Sequence, residues 1–440
     1  MAAEYFLFRQ IKQRLNNGAA YDCFPAPDLS ETDQLKTLSR HYNGHIRQRA
    51  VLCLGLRRDI SALPDLVERV NDWVGQVARS ARSSLRRWMR PHYAADFVAH
   101  LPALFWLLQC TRADHREFVA DVVAYLSRDE NKHTLLAGCG ADDRHVARLC
   151  LRILLKNHLF PWPQVFQCAM RQRDPLVRYT AAQFALNSPE TISYDVFHQL
   201  LQDRFAPVKQ QVLQYAQDHQ FRIEKPLSET LLTDNNGLVR QRACRLYQKA
   251  YGDPLAFYLE TFRNEAARPA IRKAALLGLD ELRYPQVMAL AETVHASSPF
   301  GLYFAALNIV VKHKGDDAGE GLIRLLSHPE LAVARTARRL LLRHKLLITL
   351  SALQTCYSTA LTAEHGLLAY SLAHRLNKWD GLIFLLRNAN DDNQALTQRE
   401  IAGWQQRVNR SAIPPSAAQR EQLAALLTDS PYTQLQLYLC

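Results

Sequence analysis

The sequence predicts an all-α chain, an α-solenoid of stacked antiparallel helix pairs. Three observations predict it: an internal repeat with a period near 31, a column of small residues that moves with the repeat, and prolines placed in its turns. Residues 174–186, 203–216, 234–247 and 328–341 show the repeat when set in order. Each opens on a turn of Asp, Asn, Gly or Pro, continues with a branched apolar residue, then spaces small and large apolar residues as a helix does. Aligning the branched position gives Val146, Val177, Val208, Val239, Ile271, Leu302 and Val333, at intervals of 31, 31, 31, 32, 31 and 31.

Other columns keep that register. Four residues on stand Cys150, Ala181, Val212, Ala243, Ala275, Ala306 and Ala337, nearly all small, which lets two helices approach closely. Seven to nine residues before the branched position stand Cys139, Met170, Leu201, Leu232, Phe262, Val294 and Leu326, each ending a preceding apolar helix. Prolines 175, 207, 269, 299 and 329 fall in the turns, where a missing N–H is harmless. Each unit reads as helix A, tight turn, helix B. Such a hairpin cannot bury its own core, but stacking on its neighbours can.

In residues 203–212 and 234–243, an acidic residue, a branched residue, a cation and a small residue recur as Asp203–Val208–Lys209–Val212 and Asp234–Val239–Arg240–Ala243. This pattern resembles the HEAT-repeat family in its short bacterial form. Asp174–Val177–Arg178–Ala181 comes close, with the acid displaced by two positions. The resemblance is clear over residues 141–343. Asn43–Ile46–Arg47–Ala50 and Asn71–Val74–Ala78 read as earlier repeats at an interval of 28, and residues 93–135 as helices off register. Helices continue irregularly near 352–361 and 366–376. The expected organisation is one solenoid over residues 1–386 and a helical C-terminal cap over 387–440, with helices at 397–408 and 416–427 separated by Pro414 and Pro415.

Composition narrows the function. A hydrophobic content of 48% with 22% charged residues suits a folded chain. The longest apolar run, residues 101–108, is too short to span a bilayer. The apolar stretch at residues 5–8 lacks a basic leader and cleavage site, so no signal peptide is expected. Nine scattered cysteines, never spaced CxxC, imply a reduced cytoplasm and no zinc. The formal charge of +12 comes mainly from arginine.

Motifs for chemistry are missing: no phosphate-binding glycine loop, nucleophile elbow or HExxH helix occurs, so no catalytic residue, cofactor or metal is expected. Cys139 between Gly138 and Gly140 reads as a buried thiol at a helix end rather than a reactive one. His41 and His45 have metal-pair spacing, but Asn43–Gly44 between them breaks the helix. The acidic pairs Asp316–Asp317 and Asp391–Asp392 read as solvated turns.

Two kinds of arginine remain. Arg178, Lys209, Arg240 and Arg272 follow the branched position directly, and the family resemblance implies that they form a ladder with turn acids such as Asp203 and Asp234. Six and ten residues past the branched position come Arg152 and Lys156, Arg245 and Lys249, and Arg339 and Arg343. Other repeats hold Gln183, Asn187, Gln214, Asp218, Asn308 and Lys312 there, with Leu277 the exception, so these columns mark a solvent face. The resemblance implies that helix B lines a concave side. Arg79, Arg82, Arg86 and Arg90 add a second row within about 80° of one another at 100° per residue. The expected function is a non-enzymatic protein-binding scaffold or adaptor, such as an immunity-type inhibitor, docking an acidic protein on this basic face. The alternative is a nucleic-acid binder, including an enzyme like the HEAT-like DNA glycosylases, for which Trp73 and Trp88 beside the arginines are the candidates. No membrane or small-molecule partner is expected.

Overall fold

The computed structural model describes residues 29–188, 192–408, 412–428 and 430–439. Among them every regular element is a helix, and none is long and apolar enough to cross a membrane. The chain forms two compact units, divided between Phe221 and Arg222.

In the first unit, longer helices run over Gly44–Arg57, Gly75–Trp88, Arg144–Lys156, Pro175–Leu186 and Ala206–Asp218. The side-chain oxygens of Asn43, Asp143 and Asp174 accept N–H groups of the first turn, and Pro175 and Pro207 occupy turn positions that lack an intrahelical partner. Each packs against the short helix before it: Glu31–Leu38, Leu63–Val70, Lys132–Cys139, Trp162–Met170 and Tyr194–Leu201. The Gly44 helix also touches the Gly75 helix, and the Arg144, Pro175 and Ala206 helices touch in succession. Val146, Val177 and Val208 are buried, as are Cys150, Ala181 and Val212 four residues on. Helices Ala94–Ala99, Leu101–Trp106 and Arg116–Leu126 fill the stretch between these two groups.

One alignment needs correction. Val74 is not the counterpart of Ile46. The Asp72 carboxylate accepts the Val74 N–H, which makes Val74 the cap and starts the helix at Gly75. The buried pair matching Ile46 and Ala50 is therefore Val77 and Ala81, and the interval between the two helix starts is 31, not 28.

In the second unit the longer helices are Gly237–Tyr251, Pro269–Glu281, Phe300–Lys314 and Leu331–Arg343, followed by Ala363–Tyr370. Their starts follow at intervals of 32, 31, 31 and 32, and each helix touches the next. Short helices Lys225–Leu232, Leu255–Arg263, Val287–Glu292, Gly319–Leu325 and Leu350–Ser358 precede and pack on them in turn. The first four alternate between 15 and 13 residues. The longer ones stop at Gly252 and Gly315, both at positive φ, which glycine adopts without strain. The shorter ones close through Arg283 and Lys345 in the left-handed region, and the next N–H returns to a carbonyl five residues back.

The Ala363 helix carries the register further than the sequence showed. His365 stands in the branched column, buried, with Nε2 donating to the His328 carbonyl at 2.9 Å and Nδ1 beside the Thr362 hydroxyl at 2.8 Å. Those two bonds satisfy a polar ring where the other repeats hold a branched side chain.

Helices Lys378–Arg387, Gln394–Arg407 and Ala417–Leu427 end the unit. Residues beyond 387 join the core of the helices before them: Ile401, Trp404, Leu423 and Leu427 cluster with Tyr370, Phe384 and Leu340. Trp404 packs edge-on against Trp379 at 5.7 Å and Tyr438 at 5.5 Å, while both indole N–H groups donate to backbone carbonyls.

Candidate partner-binding surface

Four helices share an unusual charge pattern. Gly75–Trp88, Arg144–Lys156, Gly237–Tyr251 and Leu331–Arg343 each carry four Arg or Lys side chains and no carboxylate. Across the longer helices generally the inner cations are tied into the fold; most of the outer ones on these four are not.

The inner set clasps turns. Arg178 donates to both oxygens of Asp203 at 2.7 and 3.1 Å, and to the carbonyls of Gln172 and Arg173. Arg47 repeats this geometry on Asp72 at 2.8 Å twice, with the carbonyls of His41 and Tyr42, and both side chains of the pair are fully buried. Arg148 grips Asp174 at 2.6 and 3.0 Å, and this bond, with the Leu176 N–H, holds Asp174 below the usual carboxylate range despite partial burial. At Arg240 and Arg272 the column departs from the turn-acid ladder. Arg240 reaches the Asp234 main-chain oxygen and the Glu281 carboxylate, and Arg272 donates to the Phe262 carbonyl and lies over its ring. Lys209 is half-buried on the Ala206 helix.

The outer set faces solvent. Arg152 and Lys156 in the first unit, and Arg245, Lys249, Arg339 and Arg343 in the second, are exposed. Among the described residues their charged groups form no ion pair or hydrogen bond; Arg339 lies 6.0 Å from the Phe304 ring centre. The row 79–90 holds only in part. Arg79 is exposed and Arg82 half-buried, but Arg86 is committed to Asp121 and Glu117 on the Arg116 helix, which raises its pKa. Arg90 is not on the helix: the helix ends at Trp88, and Arg90 is extended (φ −120°, ψ 147°) because Pro91 follows it. Its side chain still faces solvent.

The aromatics split. Trp88 is fully buried with its indole N–H on the Gly55 carbonyl, so it is not a surface contact. Trp73 is exposed, with the Arg47 guanidinium 4.0 Å from its ring centre.

The sequence missed a cleft of about 690 Å³ in the first unit, between the C-terminal ends of the Arg144 and Pro175 helices and the start of the Trp162 helix. Leu155, His158, Phe160, Trp162, Phe184 and Asn187 line it. The available signal was Pro161–Trp162–Pro163, with Leu155 and Phe184 standing beside the polar columns instead of in the core columns.

Cys139 is fully buried, and its hydrogen bond with Cys168 and its burial raise its pKa. The same bond lowers the half-buried Cys168, against the effect of burial, so the two thiols, one of which the sequence did not single out, share a proton between neighbouring helices. Gly138 serves close approach: a Cβ there would lie 2.6 Å from Val98 and 2.7 Å from the Cys150 sulfur. His41 is buried with Nδ1 accepting the Asn43 N–H, while the His45 N–H donates to the Asn43 cap. Among the described residues no three His, Cys, Asp or Glu side chains are placed to hold a metal ion. No protein-family model matches the chain, and no curated protein matches its sequence.

Proposed function

We propose that the chain is a HEAT-like α-solenoid acting as a non-enzymatic scaffold or adaptor that docks an acidic protein on its basic helix faces, as an immunity-type inhibitor would. The solenoid reading is supported by helix starts at intervals of 31 or 32 from Gly44 to Gly75, from Arg144 to Ala206 and from Gly237 to Ala363, by the contacts between successive longer helices in each of those runs, and by the buried small column. The functional reading rests on one observation: four helices hold four cations each and no carboxylate, and most of their outer cations are exposed and unpaired. Such charges steer an anionic partner and fix its register. The burial of Trp88 removes one of the two indoles that a glycosylase-like reading requires at the surface.

The test is capture from native lysate with and without nuclease treatment, comparing the unmodified chain with a variant carrying Arg245→Glu, Arg339→Glu and Arg343→Glu. All three side chains are exposed, so the variant should fold as the parent does. A protein retained by the parent and lost by the variant supports the reading. Captured material that disappears on nuclease treatment, with affinity falling linearly in log–log terms as salt rises, replaces it with phosphate binding.

A further inference from the structure

The cleft of the first unit opens beside two of the unpaired cations. Leu155 forms part of its wall; Lys156 follows directly, and Arg152 lies one helical turn back on the same face. Asn187, in the matching polar column of the next longer helix, lines the cleft itself. Its inner surface is apolar and aromatic: Phe160, Trp162 and Phe184 contribute rings, and His158 sits 6.2 Å from Phe184 between ring centres. Among the described residues no carboxylate lines it. Lys132 lies 5.2 Å over the Phe160 ring while paired with Asp129.

From this juxtaposition we propose that the cleft seats one large apolar side chain, phenylalanine or leucine, of an acidic peptide segment whose flanking carboxylates meet Arg152 and Lys156. The inference rests on the acidic-partner reading above and names its anchor. Charge complementarity selects the occupant. The cations stand along the helix outside the cavity, one turn apart, so the ligand must extend past the cleft with negative charge, as a peptide chain does. An apolar side chain in a desolvated pocket, ringed by polar contacts, is the usual centre of such an interface. Arg152 and Lys156 then govern association, and the aromatic walls govern release.

The experiment uses the full chain and a fluorescent twelve-residue peptide of glutamate and glycine with one central phenylalanine, read by anisotropy. Companion peptides replace the phenylalanine by alanine, or the glutamates by glutamine. The phenylalanine peptide should bind at least tenfold more tightly than the alanine peptide. Arg152→Glu with Lys156→Glu, or the glutamine peptide, should weaken binding at least tenfold. Asn187→Trp, placed at an exposed helix end to fill the cleft, should abolish the phenylalanine advantage and leave the alanine peptide unchanged; Phe184→Ala, one turn back on the same helix and checked by thermal melting, should remove the same advantage by taking away a ring of the wall. Equal binding of the phenylalanine and alanine peptides, both weakened by the charge reversal, overturns the cleft and leaves the acidic-partner reading standing. No binding of any acidic peptide overturns both. Binding indifferent to Asn187→Trp and Phe184→Ala places the anchor elsewhere. Concentration-dependent self-association that Asn187→Trp abolishes assigns the cleft to a second copy of the chain and overturns the peptide proposal.

Discussion

The two units place an arginine at the same point of their repeats and find different partners for it. In the first unit Arg47 and Arg178 each reach an aspartate 25 residues ahead, in the turn before the next longer helix. In the second, Arg240 passes to Glu281, 41 residues ahead and inside a helix, and Arg272 ends on a carbonyl. The acids differ accordingly. Burial would raise Asp72, but bonds from Arg47 and the Val74 N–H hold it below the ordinary range. Burial does raise Glu281, and Arg240 only partly opposes it. A turn aspartate accepts a backbone N–H as well as the guanidinium. In the helix, Glu281 gains the guanidinium without the turn N–H bond that fixes Asp72. The arginine's backward bonds to carbonyls follow from local sequence, whereas its forward partner depends on how the next repeat is laid down.

The largest effect expected from this contrast is at Asp72. Asp72→Ala strands a fully buried arginine and should cost about 3–5 kcal/mol in urea unfolding, while Glu281→Ala, whose carboxylate is partly exposed, should cost about 2 kcal/mol. Equal losses would erase the distinction between turn clasp and helix partner.

A middle-sized effect separates sealed seams from open faces. Gly138→Ala in the first unit drives a Cβ into Val98 and Cys150, and Gly278→Ala in the second drives one into the Tyr258 ring at 2.5 Å. Each should cost about 1–3 kcal/mol from overpacking. Gly301→Ala meets nothing within 4 Å and should stabilise its helix by about 0.5 kcal/mol. Thermal melts in which all three shift the same way would contradict the assigned helix faces.

The smallest effect concerns protons. His115 in the first unit and His344 in the second each place Nε2 3.1 Å from an asparagine oxygen, and burial lowers both below the usual histidine value of 6.5. The folded state therefore binds fewer protons than the unfolded chain below about pH 6.5. Stability from both residues is present above that pH and is lost as pH falls through their folded values. The urea midpoint should drop between pH 7 and 5, and His115→Gln should flatten the drop more than His344→Gln, because His115 is buried and His344 only half-buried. A midpoint that stays level for the unmodified chain would mean that neither ring is desolvated.

The helices, their all-α class and their buried columns were legible in the residue order alone. Small residues such as Ala181 and Ala243 recur at a fixed spacing, and a helix turns such spacing into a face. The outer cations were legible too, because a column that is polar in nearly every repeat faces water. Register was harder to read where the marker residue was atypical: Val77 was hidden behind Val74, and His365 fills a branched position by making hydrogen bonds that no residue pattern announces. The Asp203 clasp was legible through the HEAT-like pattern, but the Arg240–Glu281 pair, the Cys139–Cys168 pair and the aromatic cleft were not. Each joins residues from different helices at separations that carry no periodic signal. Their contact is set by how closely neighbouring helices approach, and that distance is fixed only when the side chains of several helices pack together.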